Sequence, residues 1–126
     1  HRNGEPVDQL RAAITLDQLR NVHRQVREVT VEDSVNDYIL DIIAATRDHD
    51  ELLLGVSTRG ALTLYRTVQA LAFMQGRNYV IPDDVKDLVI PVLSHRMICK
   101  GLIREGQRAR SGEILRQILR EIPVPR

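Results

Sequence analysis

The chain is poor in aromatic residues: its 126 residues include three Tyr, one Phe and no Trp. A core must therefore be built from Leu, Ile, Val and Ala, which favours helix-on-helix packing over a sandwich or barrel. The single cysteine, Cys99, excludes an internal disulfide. Together with the lack of a secretory h-region, it points to a cytoplasmic protein. No apolar run approaches the ~18 residues that span a bilayer, so we expect no membrane partner.

The net charge is also small, +1, and predicts no particular class of partner. Its distribution is uneven, because residues 95–126 hold eight basic and three acidic residues, whereas residues 1–94 hold ten basic and fourteen acidic ones. A basic C-terminal tail is compatible with nucleic-acid binding. It is equally compatible with a helix that rests on an acidic neighbouring domain.

Apolar residues recur at helical spacing after residue 13, and residues 1–13 are interpreted as a loop or linker. Thr15 and Thr30 each precede a polar residue three positions on, a pattern typical of capping boxes. They predict the starts of the first two helices, of which the second ends near residue 48. Ser57 is the expected cap of a third helix, which Gly76 ends in a left-handed turn.

Two prolines and a glycine-rich segment predict how the chain continues. Pro82 suits the first turn of a fourth helix. Pro91 predicts a break in that helix and a second short helical piece that runs to about Ile98. The glycines of segment 101–112 predict a flexible connection, and the last helix is expected at about residues 111–121.

The predicted fold class is all-α. We expect an antiparallel bundle of about five helices, with one helix appended at the C-terminus. Residues 79–81 are rich in β-formers and can pair with residues 29–31, so the prediction includes one very short β pairing.

The sequence carries no catalytic motif of its own. A P-loop needs G-x-x-x-x-G-K-[ST], whose lysine counters the phosphate charge. The stretch 55–60 has the glycine spacing but is followed by Ala61, and the stretch 101–106 is followed by Gln107. No His pair at i, i+4 and no Cys cluster predicts zinc binding. We therefore expect the chain alone to be no enzyme and to hold no metal or cofactor.

One helix start is difficult to explain by stability alone. If Ser57 is the cap, then Thr58, Arg59 and Gly60 form the first turn. A cation there opposes the helix dipole by ~0.3–1 kcal/mol, and Gly costs roughly 1 kcal/mol relative to Ala. Both choices are explained if an anion docks at this helix end, where free N–H groups and Arg59 point at it. The alternative is an Arg59 that bends toward an acidic neighbour on the surface.

Five motifs follow one another along the chain: Thr46-Arg47-Asp48-His49, Leu54 to Gly60, Gly76 to Val85, His95-Arg96, and Ile118 to Pro125. In this order they resemble the C-terminal lid of MoxR-type AAA+ ATPases, over about residues 5–126. The resemblance implies that residues 1–13 are a linker from an N-terminal ATPase core. Residues 14–126 would then be the helical lid, including its appended C-terminal helix.

The resemblance also implies a site. In this family the lid closes over ATP and Mg²⁺ bound by the core, and a helix beginning with a motif like Gly-Ala-Ser-Pro-Arg-Ala supplies the sensor 2 arginine, which reaches the γ-phosphate. By position this arginine is Arg59, and Ser57, Thr58 and Gly60 complete the nucleotide-contacting turn. The chain departs from the motif at Val56, Thr58 and Gly60, where the turn loses a proline and gains a glycine.

Arg47, Arg77 and Arg96 stand at family positions too, and interdomain or intersubunit ion pairs are their expected role. The resemblance implies a chaperone-like remodelling ATPase as the parent. Its partners would be its own ATPase core, neighbouring subunits of a ring, often a hexamer, and a von Willebrand factor A domain protein. Two alternatives stay open: a stand-alone helical interaction module, and, less favoured, a nucleic-acid-binding bundle that uses the basic tail.

Overall fold

The computed structural model describes residues 4–101 and 104–126. Over this part of the chain the helices are α1 (Leu16–Arg27), α2 (Asp33–Arg47), α3 (Thr58–Met74), α4 (Pro82–Leu93) and α5 (Arg104–Glu121). Two short strands, β1 (Leu52–Leu54) and β2 (Ile98–Cys99), pair antiparallel. Single 3₁₀ turns cover Pro6–Gln9 and Ser94–Arg96. The predicted all-α bundle of five helices is confirmed.

The core lies where α2, α3, α4 and α5 meet, and α3 and α4 share the most extensive contact. The apolar stripe of α2 is buried along its whole length, because its members recur at i, i+3, i+4, i+7 and i+8: Val35, Tyr38, Ile39, Ile42 and Ile43. In contrast, α1 packs against α3 without a single buried residue. No helix in the described ranges is long and apolar enough to cross a membrane.

The predicted capping box of α1 is confirmed. The Thr15 hydroxyl accepts from the Gln18 amide at 3.1 Å, and the Gln18 side chain accepts from the Thr15 amide at 2.8 Å. The cap predicted at Thr30 is wrong, because Glu32 is the N-cap of α2. Thr30 instead forms a parallel bridge with Tyr79. This bridge is the short pairing predicted between residues 29–31 and 79–81.

An ion pair closes the turn between α3 and α4. Gly76 adopts a φ of 78°, the predicted left-handed stop, and directs the chain so that Arg77 faces the start of α4. Two nitrogens of Arg77 donate to the two Asp84 oxygens at 2.6 and 2.8 Å, and the Ile81 amide donates to the same carboxylate at 2.9 Å. Arg77 therefore serves an ion pair within this domain, and not the interdomain or intersubunit pair expected for it.

The predicted break at Pro91 is wrong, since α4 continues to Leu93. Pro91 and Asp87, whose carbonyl loses its helical partner, are both exposed, so water can replace the missing bond. The short helical piece predicted to reach Ile98 is also wrong. A 3₁₀ turn is followed there by β2, which pairs with β1.

The last helix begins at Arg104, seven residues before the predicted start. Contacts with a residue outside the helix explain the difference: the Gln107 side chain accepts from the Cys99 amide at 2.7 Å and donates to the Cys99 carbonyl at 3.1 Å. Such contacts outweigh the roughly 1 kcal/mol that each helical glycine costs. Residues 102–103 of the predicted flexible connection and residues 1–3 of the predicted linker lie outside the described residues.

The Arg77–Asp84 pair predicts a pH dependence of stability. Burial alone would raise the pKa of Asp84, but the hydrogen bonds from Arg77 and Ile81 and the charge of Arg77 outweigh burial and lower it. The stabilising contribution is therefore fully present above the unfolded pKa of about 3.9 and is lost as the pH falls through the lower folded pKa.

We expect Asp84→Asn to lower the free energy of unfolding by about 1–3 kcal/mol at pH 7, because it removes the buried carboxylate that accepts charge-assisted hydrogen bonds from the half-buried Arg77. The difference from the unaltered chain should shrink as the pH falls below about 4. Chemical denaturation at several pH values measures both effects. Asp83→Asn is the matched control, since the neighbouring Asp83 side chain is 74% exposed. A difference that stays constant down to pH 2 would contradict the assignment.

Candidate functional site

The start of α3 is built by its cap. Ser57 has extended backbone angles, and its hydroxyl accepts from the Gly60 amide at 3.2 Å while its carbonyl accepts from the Ala61 amide at 3.0 Å. The amides of Thr58 and Arg59 find no acceptor among residues 4–101 and 104–126. Two donors therefore remain available at the positive end of the helix dipole.

Arg59 is exposed in this first turn. Its backbone carbonyl accepts from the Thr63 hydroxyl at 2.9 Å, but its guanidinium has no hydrogen bond or ion pair with any residue that the structure describes. The acidic surface neighbour considered as an alternative is thus not observed in this part of the chain. A free cation stands at a helix end that its own charge destabilises.

The turn before α3 is held by the last residues of α2. The Val56 amide donates to the Thr46 hydroxyl at 3.0 Å, and the Val56 carbonyl accepts from Arg47 Nε at 2.8 Å. A second nitrogen of Arg47 lies 3.5 Å from the Thr58 hydroxyl. Within the described ranges Arg47 forms no ion pair, so the expected carboxylate partner is replaced by a backbone carbonyl.

Arg96 reaches the same region from the other side. It lines an open concavity of about 730 Å³ that is shared with Arg47, Ser57, Thr58 and the 53–56 backbone. The Arg96 Nε atom is buried and has no hydrogen-bond partner in the part of the chain that the structure describes. Two further arginines therefore gather beside the predicted site, whereas Arg77 lies at the opposite end of α3.

Gly60 is buried, and the residue that approaches it is Val56. A Cβ atom at position 60 would lie 2.6 Å from Val56 Cγ1 and 3.4 Å from Arg96 Cδ. Val56 is itself only 1% exposed. The glycine is thus required by the size of Val56. A direct contact of Gly60 with a ligand stays a prediction.

The sequence profile of the AAA lid domain family matches residues 44–118, more than half of the chain. The matched range contains the end of α2, the turn, α3 and Arg96, which together build the site. The chain belongs to the AAA lid domain family. The resemblance noted from the motifs of the sequence is confirmed at this level.

The similar curated proteins are longer than this lid. YeaC of Bacillus subtilis, an uncharacterised protein, is 36% identical over 121 residues, which are 95% of this chain and 37% of YeaC. The chaperone MoxR1 of Mycobacterium tuberculosis is 32% identical over 77 residues, which are 54% of this chain and 20% of MoxR1. The lid thus spans between a fifth and two fifths of their lengths. The similarity to MoxR1 confirms that the lid is of the MoxR type.

A solved structure agrees with this placement. The crystal structure of a candidate ATPase from Cytophaga hutchinsonii superposes with a TM-score of 0.71 at 30% identity. The superposition covers 86% of this lid and 34% of that chain. The helical lid fold is therefore shared with a protein about two and a half times as long.

Two residues that support the turn stand in the motifs quoted from the sequence, but their supporting role was not predicted. Thr46 is fully buried although it is polar, and Gly55 lies against the end of α2. A signal for Thr46 was present: it stands three and four positions after Ile43 and Ile42, in the apolar stripe of α2. A polar residue at such a position predicts a buried hydrogen bond.

The contact between Val56 and Gly60 predicts coupled stability effects. Gly60→Ala alone should lower the free energy of unfolding by about 1–3 kcal/mol through overpacking, less the ~1 kcal/mol gained in helix propensity. Val56→Ala alone should cost about 2 kcal/mol, since it leaves a cavity. The double variant should be more stable than the sum of the two changes predicts, because the new methyl group fills the space left by valine. Urea unfolding measures this coupling, and strict additivity would show that the two residues do not share space.

Proposed function

We propose that the lid closes over ATP held by an ATPase core in the same protein, and that Arg59 is the sensor 2 arginine of that site. One observation carries the proposal: an exposed guanidinium stands at the positive end of α3, next to two amides, and none of the three has a partner among residues 4–101 and 104–126. A cation at this position does not stabilise the helix. An anion supplied by another domain would explain why it is there.

The residues of the helix start fit a triphosphate. The amides of Thr58 and Arg59 and the Arg59 side chain would face the terminal phosphate, since these are the donors left free in the turn. Ser57 and Gly60 would act indirectly, because the hydrogen bond between them shapes the turn. Mg·ATP, when bound by the core, supplies the phosphoryl group that is transferred. Arg59 would stabilise the negative charge that this group carries.

Because Arg59 is part of the lid, its contact with the nucleotide would have a second consequence. A contact that exists only when the lid is closed makes lid closure depend on the nucleotide, since a ligand shifts an equilibrium by its differential affinity for the two states. The angle between lid and core would then report the nucleotide state, as in other hinge-closing enzymes. This coupling is how a remodelling ATPase could convert hydrolysis into movement.

An exposed apolar edge supports a contact with the core. Along the N-terminal segment and α1, six large apolar side chains are 37–76% exposed: Val7, Leu10, Ile14, Leu16, Leu19 and Val22. Several exposed apolar side chains along one segment are typical of an interface. We propose that residues 1–13 connect the core to the lid, residues 14–126, and that this edge faces the core.

The parent is proposed to be a chaperone-like ATPase that assembles into a ring, often a hexamer in this family, and works with a von Willebrand factor A domain protein in the cytoplasm. The name of MoxR1, a chaperone, supports the first part. The nucleic-acid alternative gains less support. Within the basic tail, Arg110 is already paired with Glu51 and Glu113, which reduces the charge available to phosphates.

The first test is Arg59→Ala in the full-length protein that carries the lid. We expect the kcat for ATP hydrolysis to fall by at least about tenfold, because a charge contact in the transition state is lost. The stability of the lid should stay equal or rise by up to ~1 kcal/mol, since alanine is the better residue for a helix start. Arg66→Ala is the matched control: it lies on α3, is exposed and has no partner in the described residues. Unchanged turnover in Arg59→Ala would remove Arg59 from the mechanism.

The second test uses the 126-residue chain alone. One arginine and two amides cannot replace a P-loop, so we expect ATP to bind with a Kd of about 1 mM or weaker, equivalent to about 4 kcal/mol of binding free energy. Isothermal titration calorimetry with Mg·ATP measures this affinity. Arg59→Ala should abolish whatever weak binding is found. Micromolar affinity of the chain alone would show that the lid holds nucleotide without a core.

A further inference from the structure

We infer that Arg47 is a positioning residue for Arg59, acting with Thr46 and Gly55 through the turn that precedes α3. We name these three residues the latch. The inference rests on the proposed function, because it concerns how the sensor 2 arginine is aimed. It assigns a role to an arginine whose expected partner, a carboxylate in another domain or subunit, is not needed to explain its contacts.

Both backbone groups of Val56 are bonded to the latch. The Val56 amide donates to the Thr46 hydroxyl at 3.0 Å, and the Val56 carbonyl accepts from Arg47 Nε at 2.8 Å. The Val56 side chain is 1% exposed. The Thr46 hydroxyl in turn donates to the Ile43 carbonyl at 2.7 Å, so its orientation is fixed as well. Val56 is the residue immediately before the Ser57 cap. Its position therefore sets where α3 begins.

Gly55 allows the turn to lie directly on the end of α2. A Cβ atom at position 55 would be 2.7 Å from the Thr46 carbonyl oxygen and 2.7 Å from both the amide nitrogen and the Cα atom of Arg47. These are backbone atoms, which cannot move aside as a flexible side chain can. Any other residue at this position would lift the turn off α2 and lengthen both bonds to Val56.

The guanidinium of Arg47 spans the cap. One nitrogen bonds the Val56 carbonyl, and another lies 3.5 Å from the Thr58 hydroxyl, on the far side of Ser57. A planar group with several donors can bridge two such acceptors, whereas a lysine ammonium is a single point. Arg59 follows Thr58 directly. A shift of the turn is therefore transmitted to Arg59 within one residue.

A purely structural role makes a different prediction from a positioning role. If the latch only held the fold, its loss would reduce turnover independently of Arg59, and the two effects would multiply. If it acts through Arg59, its loss should matter only while Arg59 is present. Residues that act as a unit show such non-additive effects on rate.

The experiment compares Arg47→Met, Arg59→Ala and the double variant in the full-length protein, with kcat and KM for ATP measured for each. We expect Arg47→Met to lower kcat by about threefold to tenfold and to change KM in the same direction as Arg59→Ala does. The double variant should equal Arg59→Ala within about twofold. Arg66→Met is the matched control, the same substitution on an exposed part of α3, and should leave both constants unchanged. Arg47→Lys should recover part of the lost kcat.

The outcomes separate this inference from the proposed function. If Arg59→Ala leaves turnover unchanged, the proposed function fails, and the inference fails with it. If Arg59→Ala lowers turnover but Arg47→Met either has no effect or adds its full effect in the double variant, then only the latch is overturned. Thermal unfolding checks that each variant is folded. Should Arg47→Met not fold, Arg47→Gln takes its place in the same cycle, because its amide can still donate to the Val56 carbonyl but cannot span Val56 and Thr58.

Discussion

The close contact between the end of α2 and the turn before α3 is the constraint on which the site depends. Two consecutive residues of α2, Thr46 and Arg47, bond the amide and the carbonyl of one residue, Val56. That contact needs a residue without a side chain at position 55. The cap at Ser57 follows one residue later, and Arg59 lies in the first turn that this cap begins. Hydrogen bonds from side chains to the backbone, and not a network of ion pairs, thus place the cation.

The other end of α3 is fixed by different means. Gly76 ends the helix with a positive φ, and the Arg77–Asp84 pair ties the following turn to the start of α4. Midway, the buried Gln69 side chain donates to the Val29 carbonyl at 2.9 Å, which joins α3 to the segment after α1. Because α3 is held at both ends and in the middle, it can carry Arg59 as part of a rigid body. The backbone of Arg59 therefore cannot shift relative to the rest of α3 without disturbing these contacts.

The features predicted correctly are those that depend on residues close together in the sequence. The α2 stripe, the cap of α1, the Ser57 cap and the Gly76 stop each depend on residues within one or two turns, and the structure contains all of them. The failures are caused by contacts with residues outside the local pattern. α5 begins early because Gln107 bonds Cys99, and Thr30 leaves its predicted cap because Tyr79 offers a backbone partner.

The same distinction between local and non-local contacts applies to the candidate site. The exposure of Arg59 follows from its place in the first turn after Ser57, which the sequence shows. The role of Arg47 could not be predicted from spacing, because its partner, the Val56 carbonyl, is nine residues away across a connector that contains β1. Where the chain departs from the family motif, all three changes fall on the support of the arginine. Val56 is the residue that is held, Gly60 makes room for it, and Thr58 offers Arg47 an oxygen that proline lacks. The small Gly60 and the larger Val56 therefore compensate each other in size.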